Sequence, residues 1–276
     1  MLIEFFGLPG TGKSTLSRMA ADQLMDRGLI VDEMTYDLDH RRPRVQRQLA
    51  KLTHLLRYAA AHPCRTVSDL ARIAATRQAT LLDLGKASFN WIFIASLASQ
   101  RLASSRITFL DQGVAQALWS IGFAAQDGKP FDLLMANIEW RTLRPDLVFH
   151  VRADFQRLGD RLACRSRHVS RLDALGRDHQ ALRRAEASGD AIIGRLKCAG
   201  IPVIEVENNH PQHLASGAQL IATTITTMLN EQAGVARGRS NTLSLAMPGA
   251  SPTERGLAAN HPIVRQYLSR VERNER

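Results

Sequence analysis

Residues 7 to 14 read Gly-Leu-Pro-Gly-Thr-Gly-Lys-Ser, a G-x-x-x-x-G-K-[ST] spacing. It is preceded by an apolar run, Leu2 to Phe6, and followed from Thr15 to Arg27 by apolar Leu16, Met19, Ala20 and Leu24 at helical spacing. Strand, glycine loop and helix in that order are the context in which this spacing binds phosphate. Gly7, Gly10 and Gly12 let the backbone turn tightly and come close to an anion. Thr11 and Thr15 complete the loop, and its amides together with the helix N-terminus point at phosphate oxygens. Lys13 adds a mobile cation for the β- and γ-phosphates, and Ser14 offers a hydroxyl to Mg²⁺.

The rest of the chain alternates apolar runs with helical patterns. Gly28 stops the first helix, and Leu29–Tyr36 reads as a second strand ending near Asp37, followed by a polar loop as far as Arg44. Residues 45 to 104 read as an all-helical insertion, broken at Pro63 and again near Gly85. Further strands are expected at Ile107–Asp111, Asp146–Val151 and Ile201–Val206. Helices are expected at Val114–Ala125, Phe131–Thr142, Asp154–Arg167, Asp178–Ala199 and His213–Gln232. Five strands separated by helices imply an α/β fold, a five-stranded parallel sheet covered on both faces, with ligands at the carboxyl ends of the strands. The expected domain spans 1–232, with a lid-like segment at 154–178. A flexible basic tail, 233–276, would carry a short terminal helix formed by Ile263, Tyr267, Leu268 and Val271.

Composition narrows the function classes. Aromatic residues make up 5% of the chain, too few for a base-stacking platform, which argues against a nucleic-acid partner despite a net charge of +10. Cys64, Cys164 and Cys198 form no C-x-x-C pair and read as small buried hydrophobes of a cytoplasmic protein rather than as a zinc site. The apolar stretch Trp91–Ala98 is too short to span a membrane, and no membrane association is expected.

Asp111, at the end of the third strand, is placed to hold Mg²⁺ or to orient an acceptor in the manner of a Walker-B acid, or to cap the next helix. Asp37 is an alternative general base or a solvated loop acid. Arg157, Arg161 and Arg165 share a helix face at spacings of four, and a delocalised bidentate cation suits a transferring phosphoryl group. Arg161 and Arg165 are the strongest candidates, and Arg167 and Arg171 fit a mobile lid. Arg41, Arg42, Arg44 and Arg47 either bind an anionic acceptor or solvate a loop. Asn208 and Asn209 follow the fifth strand, where they suit a turn.

These features together resemble the P-loop kinases of the nucleoside-monophosphate-kinase group, thymidylate-kinase-like members in particular. The resemblance rests on the loop at Gly7–Thr15, on Phe109-Leu-Asp-Gln-Gly113, on Arg144-Pro-Asp-Leu-Val-Phe-His-Val151 and on the arginine-rich stretch Arg161–Asp173. It implies an ATP- and Mg²⁺-dependent phosphotransferase. Lys13, Asp111, Arg161 and Arg165 would be its catalytic groups, and Ser14 and Asp111 its metal contacts. The acceptor would be a nucleotide monophosphate or a hydroxyl-bearing metabolite, anionic or neutral, and a homodimer is compatible with this reading. Where the family carries Asp-Arg this chain has Asp111-Gln112, which points away from thymidylate. A non-catalytic nucleotide-dependent switch or regulator with a basic tail is the alternative.

Overall fold

The computed structural model describes residues 1–40, 43–100, 106–125, 143–164 and 178–246. The described elements are β1 (Leu2–Phe6), α1 (Lys13–Asp26), β2 (Val31–Asp32), α2 (Met34–His40), α3 (Arg44–Ala61), α4 (Pro63–Ala75) and α5 (Leu81–Gln100). They continue with β3 (Ile107–Leu110), α6 (Val114–Ala124), β4 (Leu147–Arg152), α7 (Phe155–Ala163), α8 (His179–Cys198), β5 (Val203–Glu207) and α9 (Pro211–Ala246).

The five strands form one parallel sheet in the order β2-β3-β1-β4-β5. β1 lies at its centre and every residue of it is buried, as expected for a strand covered on both faces. Alternation along the strand separates two cores. Leu2 and Phe6 join Leu110 and Val148 beneath residues of α5, α6 and α8. Ile3 and Phe5 join Phe109 and Phe149 beneath Leu16, Ala20 and Leu24 of α1 and Ile221 and Ile225 of α9. The Phe5 ring meets Phe109 edge-on at 5.1 Å and stacks on Phe149 at 5.6 Å, locking three neighbouring strands in register.

Several boundaries differ from the sequence expectation. β2 is two residues long, and the chain turns into α2 at Met34, so Asp37 lies in the first turn of a helix rather than at a strand end. β2 is an edge strand, and the residues after it are drawn inward. Glu33 pairs with Arg18 of α1, and Thr35 Oγ1 accepts the Asp111 amide at 3.1 Å. Pro63 opens α4 at its first position, as expected. The second break of the insertion falls at Thr76–Thr80 and not at Gly85, which lies inside α5. Thr80 and Asp83 explain the shift. The Asp83 amide donates to Thr80 Oγ1 at 3.0 Å and that hydroxyl donates back to Asp83 Oδ2 at 2.8 Å, a reciprocal cap that starts α5.

The helix α9 runs past Gln232 to Ala246. No proline occurs between Gln212 and Met247, so nothing in the chain forces an end before Pro248. All three cysteines are exposed rather than buried, because each sits at or beside a helix end: Cys64 on α4, Cys164 after α7 and Cys198 on α8. The expected helix at Phe131–Thr142, Arg165, Arg167 and Arg171 of the lid segment, Arg41 and Arg42, and the terminal helix at 261–276 lie outside the described residues.

His150 of β4 is buried beside Phe6, with ring centroids 5.5 Å apart. Burial, and then the Arg152 charge, lower its pKa to about 4. The folded protein therefore leaves this imidazole neutral while the unfolded chain protonates it below about 6.5. The associated stability is full above that pH and is lost as the pH falls towards 4, by up to about 3 kcal/mol. Substituting His150→Phe should remove this share. Thermal melts from pH 7 to pH 4 should show wild type losing stability relative to the variant, and parallel curves would contradict the assignment.

Candidate functional site

The loop between β1 and α1 is shaped by what backs it. A Cβ on Gly7 would lie 2.2 Å from the Val151 carbonyl at the end of β4. One on Gly10 would meet Leu158 of α7 at 2.9 Å, and one on Gly12 the Asn208 side-chain amide at 2.3 Å. All three glycines have positive φ. Thr11 closes the turn, its amide and its Oγ1 both donating to the Leu8 carbonyl at 3.2 and 2.9 Å.

Asn208, just past β5, ties the loop to the far side of the sheet. Its Nδ2 donates to the Thr11 carbonyl at 2.7 Å and its own amide to the Arg152 carbonyl at 2.8 Å. Arg161 of α7 reaches the same place, donating to the Asn208 carbonyl at 3.0 Å and more weakly to Gly10 at 3.4 Å. Of the expected arginine face, Arg161 therefore reaches the loop. Arg157 is exposed on α7, and Arg165 lies outside the described residues.

α1 begins at Lys13 with no side chain capping it and no acid in its first turn. Uncapped first amides and their dipole are the arrangement that suits an anion. Lys13 Nζ folds back onto the carbonyls of Gly7 at 2.6 Å and Leu8 at 3.0 Å, within reach of that anion position. Ser14 Oγ donates to Asp111 Oδ2 at 2.8 Å, joining the loop to the end of β3. Asp111 is buried, its amide bonds Thr35, and its Oδ1 has no hydrogen-bond partner. A hydroxyl and a carboxylate with a spare buried oxygen form the hard-oxygen donor pair that suits Mg²⁺. That ion takes one or two protein oxygens and fills its shell with phosphate and water. The residues present fit this need, and no group of three or more His, Cys, Asp or Glu able to hold a metal occurs among the described residues.

A cleft of about 490 Å³ opens beside the loop. Its near wall is Pro9, Gly10 and Gly12 to Thr15, with Asp111. Its far wall comes from α5 (Lys86, Asn90) and from β3–α6 (Gln112, Gln116, Trp119, Ser120, Phe123). Trp119 and Phe123, one helical turn apart, stack at 5.2 Å with their planes 14° apart. Trp119 Nε1 donates to the Ala185 carbonyl of α8, which holds the indole against that helix. Gln116 Oε1 is buried without a partner. Glu4 of β1 accepts the amides of Ala115 at 3.1 Å and Gln116 at 3.0 Å, fixing the start of α6, and burial pushes its carboxyl up to about 7.

Sequence reasoning misses this far wall, since stacked aromatics on α6 look like an ordinary apolar helix face. It also misses Glu33, and Asn208, singled out after the fifth strand as a turn residue, instead braces the loop through the Thr11 carbonyl. Asp37 does not line the cleft. The arginines at 41 and 42 lie outside the described residues. No described helix is long and apolar enough to cross a membrane.

No protein-family model matches the sequence, and no curated protein matches it. Among solved structures, the chain is similar to deoxyadenosine kinase from M. mycoides with bound dCTP, at 14% identity over 82% of this chain and 100% of that one, with a TM-score of 0.48. The same enzyme with bound dATP matches at 14% identity over 83% and 100%, with a TM-score of 0.47. Its form with products dCMP and a flexible dCDP matches at 13% identity over 83% and 100%, with a TM-score of 0.45.

Proposed function

We propose that this protein is a P-loop phosphotransferase that moves the γ-phosphate of ATP to a hydroxyl on a small acceptor held against α5 and α6. The observation that carries the reading is the junction of Ser14 and Asp111 at 2.8 Å, beside an uncapped helix and Lys13 and facing a two-walled cleft. The loop amides receive the β-phosphate. Lys13 exchanges the Gly7 and Leu8 carbonyls for β- and γ-oxygens, where its charge offsets the negative charge that develops in transfer. Ser14 and Asp111 would hold Mg²⁺, which would supply neutralisation of the charge that develops on the transferring phosphate. Arg161, already at the loop, bears on the phosphate side, and Arg165, four residues further along the chain, is a second candidate. Asp111 would also orient the acceptor hydroxyl through its second carboxylate oxygen.

The far wall suits a flat acceptor. Trp119 and Phe123 offer stacking area, while Gln116 and Asn90 offer amide hydrogen bonds. Gln112 stands where the resembled thymidylate-kinase-like proteins carry an arginine, so a phosphate-bearing acceptor lacks that charge-assisted pair. The missing pair corresponds to roughly 1.5 to 3 kcal/mol. Thymidylate should accordingly turn over at least about tenfold less efficiently than a neutral hydroxyl acceptor of the same ring size. Steady-state kinetics over a panel of nucleosides, nucleoside monophosphates and other ring alcohols tests both statements. Phosphate moving to an acceptor supports the reading. Phosphate moving only to water, or nowhere, favours a nucleotide-dependent switch.

A further inference from the structure

The turn between α4 and α5 is tied to the end of α6. α4 closes at Thr76, whose buried hydroxyl donates to the Ile73 carbonyl at 2.6 Å. Arg77 then reverses the chain at a φ of +49°, the only positive φ of a non-glycine residue among the described residues. That reversal brings Gln78 against α6. Gln78 Nε2 donates to Thr76 Oγ1 at 2.6 Å and to the Ile121 carbonyl at 3.1 Å. The Gln78 backbone pairs with Ala125, the residue after α6, as a single antiparallel bridge.

Ile121 is where α6 needs a donor. The last four carbonyls of a helix have no partner within it. The Ala125 amide goes to Gly122 at 3.3 Å rather than to Ile121, and no basic side chain lies in the last turn. Gln78 supplies the donor from 43 residues away. A carbonyl can only accept, so Ile121 fixes which end of the amide faces it. The other end, Oε1, is buried with no partner among the described residues. This turn therefore carries two unfavourable features, a left-handed arginine and an unpaired amide oxygen. Joining two helices requires neither, since glycine at 77 and a smaller residue at 78 would serve.

The far wall of the cleft lies on either side of this junction. α5 starts three residues after Gln78 and presents Lys86 and Asn90, while α6 presents Gln116, Trp119, Ser120 and Phe123. Ala87 and Trp91 of α5 share an apolar core with Leu118 and Ile121 of α6. Apolar packing is non-directional and leaves two helices free to shift, whereas a hydrogen bond loses strength steeply with distance and angle. Gln78 itself does not line the cleft. We propose that Gln78 is a positioning residue for the acceptor, latching the α4–α5 turn to the open end of α6 and so holding α5 and α6 at one separation. The inference rests on the reading of this cleft as the acceptor site of a phosphotransferase.

Two substitutions of similar length test this in the full chain. Gln78→Glu keeps the side chain's size but turns a carboxylate towards the Ile121 carbonyl, and Gln78→Lys keeps a donor that reaches it. With the acceptor that wild type turns over most efficiently, Gln78→Glu should raise the acceptor KM at least about tenfold and leave the KM for ATP within about twofold. Gln78→Lys should stay within about threefold of wild type in both. Gln78→Ala, which adds no charge, should act as Gln78→Glu does and covers the case in which that variant misfolds. An unchanged acceptor KM in the folded variants, an equal rise in both KM values, or a Gln78→Lys as impaired as Gln78→Glu overturns the inference. Hydrogen exchange at the amides of the last turn of α6 reads the latch without turnover, and should quicken at least about tenfold in Gln78→Glu but not in Gln78→Lys. If no acceptor is phosphorylated, the reading of the cleft fails and exchange alone judges the latch, which unchanged rates overturn.

Discussion

Replacing Lys13 with alanine should lower phosphotransfer by at least about 100-fold while the melting temperature stays within a few degrees of wild type. The side chain lines the cleft and donates to the carbonyls of Gly7 and Leu8, of which Leu8 keeps the Thr11 amide and hydroxyl as donors when Lys13 is removed. Its loss costs the fold little. In the reaction, a cation positioned where negative charge develops is worth several kcal/mol, because the loop holds it in place before the transition state forms. A coupled assay of ADP release, run beside a thermal melt, separates the two effects. Near-normal turnover would show that Lys13 does not face the transferring phosphate. Lost turnover accompanied by a collapsed melt would show that its role is structural.

The second large effect is expected at Gly7. Alanine there would place a Cβ 2.2 Å from the Val151 carbonyl and 3.0 Å from Thr11 Oγ1, at a φ of +156°. The obstacle at Val151 is backbone in a buried interior strand, so neither side can yield cheaply. Overpacking and backbone strain together should destabilise the protein by roughly 2 to 5 kcal/mol. Loop displacement should also weaken ATP binding well beyond tenfold. Denaturant unfolding and nucleotide titration measure the two losses. A variant with both unchanged would mean that the loop does not rest on β4 as described. The same substitution at Gly85, where a Cβ would meet no described atom within 4 Å, is the control and should leave ATP affinity unaltered.

Much of the sheet could be read from the chain because its signals are local. Buried parallel strands are short apolar runs, and Leu2–Phe6, Ile107–Leu110 and Leu147–Arg152 fall within a residue of their expected places. The phosphate-type loop was equally legible, since its glycines, lysine and serine are contiguous. The extents of β2 and α9 were not. An apolar run such as Leu29–Val31 does not reveal where an edge strand gives way to a helix, and that point depends on Glu33 reaching Arg18 and Thr35 reaching Asp111. α9 outruns its expected end because glycine and serine weaken a helix without stopping it, whereas proline imposes a stop.

The site divides in the same way. Gly7 to Thr15 carry their chemistry in their order along the chain, and Asp111 was legible as an acid ending a strand. That Ser14 bonds Asp111 across 97 residues, that Asn208 braces Thr11 across 197, and that Gln116, Trp119 and Phe123 form a wall opposite the loop were settled only by the packing of the sheet. The sequence by itself determined the phosphate-type loop and the layered parallel fold, because backbone geometry and apolar periodicity are short-range. The tertiary structure decided which distant polar groups share the cleft, because strand order and helix placement bring them together.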